Sequence, residues 1–248
     1  MHVDHLALAL VVTIRHDGHG GVADDLTDPP ALDRWVREHA GELGGYGFAS
    51  LGAESCGAES CGGASPGAEL AAGDRGAAGG ASPSPGDVPP AAEAFTADAG
   101  SLDAVLDVRT AVRALFARAV LPGPPSAADA GRLPDAGAAL ERLNAASSRV
   151  PVTHRLRWPA DGPPVADYGV PGEPAPADSL AAALARAAVA FLASPDLDRL
   201  RACPAPRCVR YFVQAHARQE WCKPSCGNRA RVARHHARRR EQAAQDPA

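Results

Sequence analysis

Helical spacing of apolar residues dominates the first 195 positions. In 28–43 (DPPALDRWVREHAGEL), Leu32, Trp35, Val36, His39 and Leu43 share one face, Asp28 stands at the cap position, and Pro29 and Pro30 fill the first turn. His39 on that stripe reads as a core-edge histidine. The longest stripe runs through 101–121, with Val105, Val108, Val112, Leu115, Phe116 and Ala119 in register. Ser101 is its candidate cap, Asp103 lies in its first turn, and Pro122, Pro124 and Pro125 end it. A shorter helix is predicted near 135–146. Another is predicted over 178–194, with Asp178 or Ser179 as cap and Leu180, Leu184, Ala187, Phe191 and Leu192 inward.

Period-two alternation occurs at Val152, His154, Leu156 and Trp158 against Thr153, Arg155 and Arg157, which predicts a half-buried strand with one basic face. Residues 5–15 (HLALALVVTIR) fit either a buried strand or the start of a helix. The glycines and aspartates that follow, at 16–25, read as a loop, and His16 and His19 within it need no metal.

Over 52–92 the pattern vanishes. Of these 41 residues, 31 are Gly, Ala, Ser or Pro, too few apolar groups to offset the entropy of ordering them. This is the composition of a disordered insertion within the N-terminal domain. It opens on a tandem GAESC repeat carrying Cys56 and Cys61, which lack a second close pair and read as a duplication rather than a metal half-site.

The other cysteines are arranged differently. Cys203 and Cys208 form C-x4-C, thirteen residues follow, and Cys222 and Cys226 form C-x3-C. Two close pairs joined by a short segment suit a tetrahedral zinc ion, each pair gripping it from one local turn. Four thiolates leave no open position, so the site is expected to be structural. Pro204 and Pro206 pre-set the first turn. Residues 209–221 alternate and turn, which predicts a β-hairpin, and the metal would supply much of the stability of so small a module. Cys222 and Cys226, four apart, suit a helical first turn with Pro224 in it. The helix then carries Ala230, Ala233 and Ala237 on one face, for packing on the hairpin, and Arg231, Arg234, His235 and Arg238 on another, with Arg229 and His236 beside it.

Charge sharpens this reading. The chain's net −4 hides a split: residues 199–240 hold 12 Lys and Arg against Glu220 alone, a balance of +11, and the rest carries −15. A basic end on an acidic body points to a polyanionic partner for that end. Double-stranded DNA is the expected partner, with Asn228, Arg229, Arg231, Arg234 and Arg238 as contacts. Dimerisation through the body would strengthen a single small module. The alternative is a zinc-stabilised protein–protein interaction module. An enzyme is not expected, because the body shows no Gly-rich phosphate loop, no G-x-S-x-G and no H-E-x-x-H. The run Leu6 to Ile14 is far short of the ~18–20 residues a bilayer needs, and its flanks are not those of a signal peptide. A cytoplasmic protein without membrane contact is the expectation.

Cys226-Gly227-Asn228-Arg229 spells the signature of the CGNR zinc fingers, and 199–240 as a whole, with its C-x4-C and Trp221 before the third cysteine, is similar to that family. The resemblance implies an α+β chain in which an N-terminal ABATE domain (1–195, interrupted by 52–92) precedes a small treble-clef finger (199–240) and a tail (241–248). It also implies zinc on Cys203, Cys208, Cys222 and Cys226, DNA contact by the following helix, and a role in stress-induced transcription regulation. An effector of the N-terminal domain, small molecule or protein, is a further candidate partner.

Overall fold

A computed structural model describes residues 5–19, 21–48, 95–129 and 131–245. The low-complexity stretch 52–92, with Cys56, Cys61 and the GAESC repeat, lies outside the described residues. The chain begins with α1 (Leu6–Val11), the hairpin β1 (Ile14–His16) and β2 (Val22–Asp24), α2 (Pro29–Glu38) and α3 (Ala40–Gly44). It continues with α4 (Ala99–Ala119), α5 (Ala136–Ser148), the strands β3 (Thr153–Arg157) and β4 (Val165–Gly169), and α6 (Pro176–Leu192). A 3₁₀ turn (Pro195–Arg199), β5 (Leu200–Ala202), β6 (Tyr211–Val213) and α7 (Pro224–Gln245) complete it. The described strands form three separate two-stranded antiparallel ribbons, so the fold is α+β.

The core is built around α4, which packs on α1, α2, α5 and α6. Its stripe is buried as its spacing requires: Val105, Val108, Val112, Leu115 and Phe116 are all inside. The cap, however, is Asp98. Its carboxylate accepts from both the amide and the hydroxyl of Ser101, each at 2.7 Å, so the helix starts earlier than a Ser101 cap would allow. Asp28 and Asp135 cap α2 and α5 in the same way. By contrast, α6 begins at Pro176 after Ala175 with no side-chain cap, and Asp178 falls in its first turn.

Other local readings shift for physical reasons. Residues 5–15 split into a short helix and a strand. The stretch after them closes as a hairpin, whose turn is organised by Asp17 Oδ1 accepting from the amides of His19 (2.7 Å) and Gly21 (2.9 Å). The helix over 28–43 breaks at His39, whose Nδ1 lies 2.9 Å from the Trp35 carbonyl while its ring stacks on the Trp35 indole. The predicted half-buried strand is instead exposed along its whole length, and Leu156 and Trp158 are each 70% exposed. It pairs with β4 alone, and alternation buries one face only where a second layer covers it.

Two buried arginines on α4 tie the body together. Arg109 grips Asp24 with both terminal nitrogens, at 2.6 and 2.5 Å, and also bonds Thr13 Oγ1. One turn on, Arg113 donates to Asp129 Oδ1 (2.7 Å), the Val11 carbonyl (2.8 Å) and Ser126 Oγ (3.2 Å). The finger joins this network through Tyr211. Its hydroxyl donates to Asp129 Oδ2 at 2.6 Å and accepts from the Ser126 amide at 3.2 Å, and Ser126 Oγ donates to the Val209 carbonyl at 2.9 Å. Burial first, then the bond to Asp129, pushes the Tyr211 phenol well above its ordinary pKa, so it stays a donor. Leu200 and Tyr211 are members of the body's own core.

Tyr211→Phe should lower stability by about 1–3 kcal/mol, because one Asp129 oxygen then lies buried without its donor. Asp129→Ala should cost more, about 3–5 kcal/mol, since Arg113 would be left buried and uncompensated. In urea titration, the Trp221 indole NMR signal (finger) and far-UV signal (mostly body) should shift together; a Trp221 transition that moves alone would show the two parts to be unlinked. The cap carboxyls of Asp98 and Asp135 are held below the usual carboxylate range, chiefly by bonds from Ser101 and from the Ala138 amide respectively. Their stabilisation is therefore present above about pH 3.9 and fades as pH falls through the folded values, which proton-coupled carboxyl NMR would read as midpoints below that of a free aspartate.

Candidate metal centre and basic helix

The first two cysteines bracket a tight knuckle. Cys208 donates its amide to the Ala205 carbonyl and Cys203 to the Arg210 carbonyl, both at 2.9 Å, and Arg207 takes the left-handed conformation (φ 63°) that closes the turn. The hairpin differs from the expected one. Residues 209–221 do not pair with themselves; β6 pairs back onto β5, so that the two strands flank the knuckle. Beyond Val213 the Gln214 and Gln219 side chains bond the backbone of the 215–219 turn, which takes that segment out of strand geometry.

The second pair arrives with α7. Cys222 precedes the helix, Pro224 opens it, and Cys226 lies in its first turn with its amide 3.0 Å from the Lys223 carbonyl. Phe212 and Trp221 pack on the four cysteines and Ala205 as a second small cluster, separate from the body core. A Cβ at Gly227 would meet the Trp221 ring at 3.1 Å, a close contact that the ring would have to shift to accommodate.

The sulfurs of Cys203, Cys208, Cys222 and Cys226 all lie within 4.8 Å of one another. Cys208 to Cys222 is 3.7 Å, Cys222 to Cys226 3.6 Å, and Cys226 to Cys208 3.8 Å. Zn–S bonds of about 2.3 Å set tetrahedral sulfur–sulfur edges of about 3.8 Å, so the spacing fits zinc and is far too long for a disulfide. Protonation points the same way. Hydrogen bonds from Cys208 and Cys222 draw the Cys203 thiol down to about 2, while Cys203 pushes Cys208 up to about 11 and Cys222 higher still. Sulfurs this close cannot all be thiolates unless a cation replaces their protons. A bound zinc supplies that charge and ties the knuckle to α7.

Beyond Cys226 the helix is exposed and basic. Arg231, Arg234 and Arg238 are exposed, and with Ala237 and Glu241 they line one hollow of about 460 Å³. Asn228 is exposed and accepts from Arg231 Nη2. Arg229 behaves differently: it is half-buried and its Nη2 lies 3.1 Å from Cys226 Sγ. Arg234 also stands over the Trp221 ring at 5.9 Å. The alanine face packs less tightly than its small residues suggest. Ala230 is buried, whereas Ala233 and Ala237 face Pro204, Pro206 and Trp221 across an open groove of about 480 Å³.

A helical α+β body carrying a four-cysteine zinc centre and a basic terminal helix is the architecture of a zinc-finger protein. Residues 199–239 match the CGNR zinc finger profile, and residues 63–195 match ABATE, described as "Putative stress-induced transcription regulator". The ABATE match spans more than half of the chain, and the chain belongs to that family. Helices α1 to α3 precede the matched span, yet Leu6, Leu10, Leu32, Trp35 and Leu43 share one core with it. No curated protein matches the chain.

Cys226→Ser should reduce the bound metal below about one zinc per chain and loosen α7, read by metal analysis and far-UV dichroism. Zinc retention should also fall as pH is lowered, because protons compete for the thiolates. Full zinc content in the serine variant would reject this ligand set.

Proposed function

We propose that this protein is a DNA-binding transcription regulator whose zinc centre holds a basic recognition helix against the duplex. The observation that carries the reading is that Arg231, Arg234 and Arg238 line one hollow on α7. These side chains recur at intervals of three and four residues and so track one face of the helix. Guanidinium groups so placed neutralise successive phosphates, and Asn228 at the start of the same face is suited to a base edge or a backbone oxygen. The family description supports a regulatory role. The body spans 1–195 in this reading and the finger begins at 199.

The protein acts by binding and carries out no chemistry of its own. Among the described residues no helix is long and apolar enough to cross a membrane, and we place the protein in the cytoplasm, with the thiols its metal site needs. A single module of this size has a small footprint, so a homodimer joined through the body would bind with useful affinity. An effector has a candidate seat where body and finger meet: a cleft of about 410 Å³ brings Arg34, Trp35 and His39 of the body beside Arg210 of the finger. The open groove beside Trp221 favours a second use of the finger, as a surface for a protein partner.

Binding to duplex DNA should weaken steeply with salt. Replacing Arg231 and Arg234 together by Ala should flatten the log–log slope by about two, since about one counterion is released per phosphate neutralised. Fluorescence anisotropy across a salt series reads the slope. An unchanged slope would transfer the finger to the protein-partner reading.

A further inference from the structure

Loaded with zinc, the four thiolates would carry a net charge of −2 in a poorly hydrated setting. Cys203 and Cys208 are each only 7% exposed and Cys226 is 0% exposed. Water therefore cannot solvate the Cys226 sulfur, and a buried anion without a compensating partner is strongly unfavourable. Arg229 supplies that partner. Its Nη2 lies 3.1 Å from Cys226 Sγ, within reach for an N–H···S bond. Its Nε is buried with no hydrogen-bond partner among the described residues. In a neutral setting such a guanidinium would be poorly satisfied; beside a doubly negative cluster its whole charge is used.

We propose that Arg229 is a positioning residue of the metal centre, an outer partner that offsets thiolate charge and holds Cys226, and that it is withheld from DNA. Its neighbours on α7 do the opposite. Arg231, Arg234 and Arg238 are exposed and face the hollow, whereas Arg229 turns inward to sulfur. One helix thus divides its arginines between metal and solvent, according to which face each residue occupies. Donors that hydrogen-bond the ligands of a metal site fix ligand orientation, and their loss typically weakens metal binding about 10–100-fold. This inference rests on the zinc centre and not on the DNA reading, and each can fail without the other.

The test uses the full-length chain with Arg229→Ala, Arg229→Gln and Arg229→Lys. Zinc affinity, measured by competition with a chromophoric chelator, should fall about 10–100-fold in the Ala variant. It should fall less in Lys, which keeps the charge, and to an intermediate degree in Gln, which keeps an N–H donor without the charge. With Co²⁺ in place of zinc, the thiolate-to-metal charge-transfer band should shift in Ala and Gln, because the sulfur loses a neighbouring positive charge; a purely structural side chain would leave that band in place. At saturating zinc the salt slope for duplex DNA should equal that of the parent chain. Unchanged zinc affinity and an unmoved cobalt band in Ala and Gln would overturn the proposal. So would a salt slope flattened by about one in the zinc-saturated Ala variant, which would make Arg229 a phosphate contact.

Discussion

Asp129 is shared between two parts of the chain. One carboxylate oxygen accepts from Arg113 of α4 at 2.7 Å and the other from the Tyr211 hydroxyl of β6 at 2.6 Å. Arg113 and Asp129 are almost wholly inside, with side chains 2% and 3% exposed. At that depth neither charge can lose its partner without a large penalty. The body therefore presents a fixed acceptor, and the finger must bring Tyr211 to it. Ser126 closes the arrangement by donating to the Val209 carbonyl, which fixes the backbone one residue after Cys208. The direction in which the knuckle leaves the body follows from this polar junction.

The three residues of β6 do two jobs because successive side chains on a strand point to opposite faces. Tyr211 enters the body core, where its ring meets that of Phe116 edge-on at 5.6 Å. Phe212, its neighbour, enters the sulfur cluster. A short strand thereby joins two cores of different chemistry, one held by aliphatic packing and the other by metal ligation. The second core is too small to persist by burial alone, while the first has the size to do so. Zinc thus organises the finger locally, and the body orients it.

How much of this could be read in the sequence depended on how local the cause was. The stripes of α4 and α6 were legible because 3.6-residue periodicity is written within a single segment. The metal centre was legible because ligand pairs must be close in sequence to grip one ion. Caps were harder: Ser101 resembles a cap, but Asp98 sits three residues earlier and takes both the amide and the hydroxyl of that serine. The exposed ribbon was misread because alternation at 152–158 records which residues share a face and not whether anything covers that face. The hairpin of the finger was misplaced for a related reason, since the alternating residues 209–213 do not name their partner strand. Least visible were Arg109 and Arg113. Charged residues beside a stripe read as its solvent edge, and their partners Asp24, Val11 and Asp129 are near only after folding. Their spacing of four, on the same helix as Val105 and Val112, was the only sequence signal.

The charge split between acidic body and basic finger raises the question of whether the two halves neutralise each other. Among the described residues, the ion pairs of the body are internal, such as Arg109–Asp24 and Arg142–Asp107, and none joins Arg231, Arg234 or Arg238 to a body carboxylate. At the start of the finger Asp196 pairs with Arg199 and also lies 2.6 Å from His5 Nε2 of the body, which leaves the helix alone. The arginine face of α7 is therefore held out in solvent by a junction that does not consume its charge. For the DNA binding proposed above, a surface prearranged in this way would give up less conformational freedom than a tethered tail, so more of the attraction between guanidinium and phosphate would be kept as affinity. Residues 1–198 carry a net −13, opposite in sign to the helix. Under the proposed DNA binding, that contrast of sign would favour approach of the duplex to the helix end. For a small finger with few contacts, that preference would raise the rate of productive encounter without requiring any further residue.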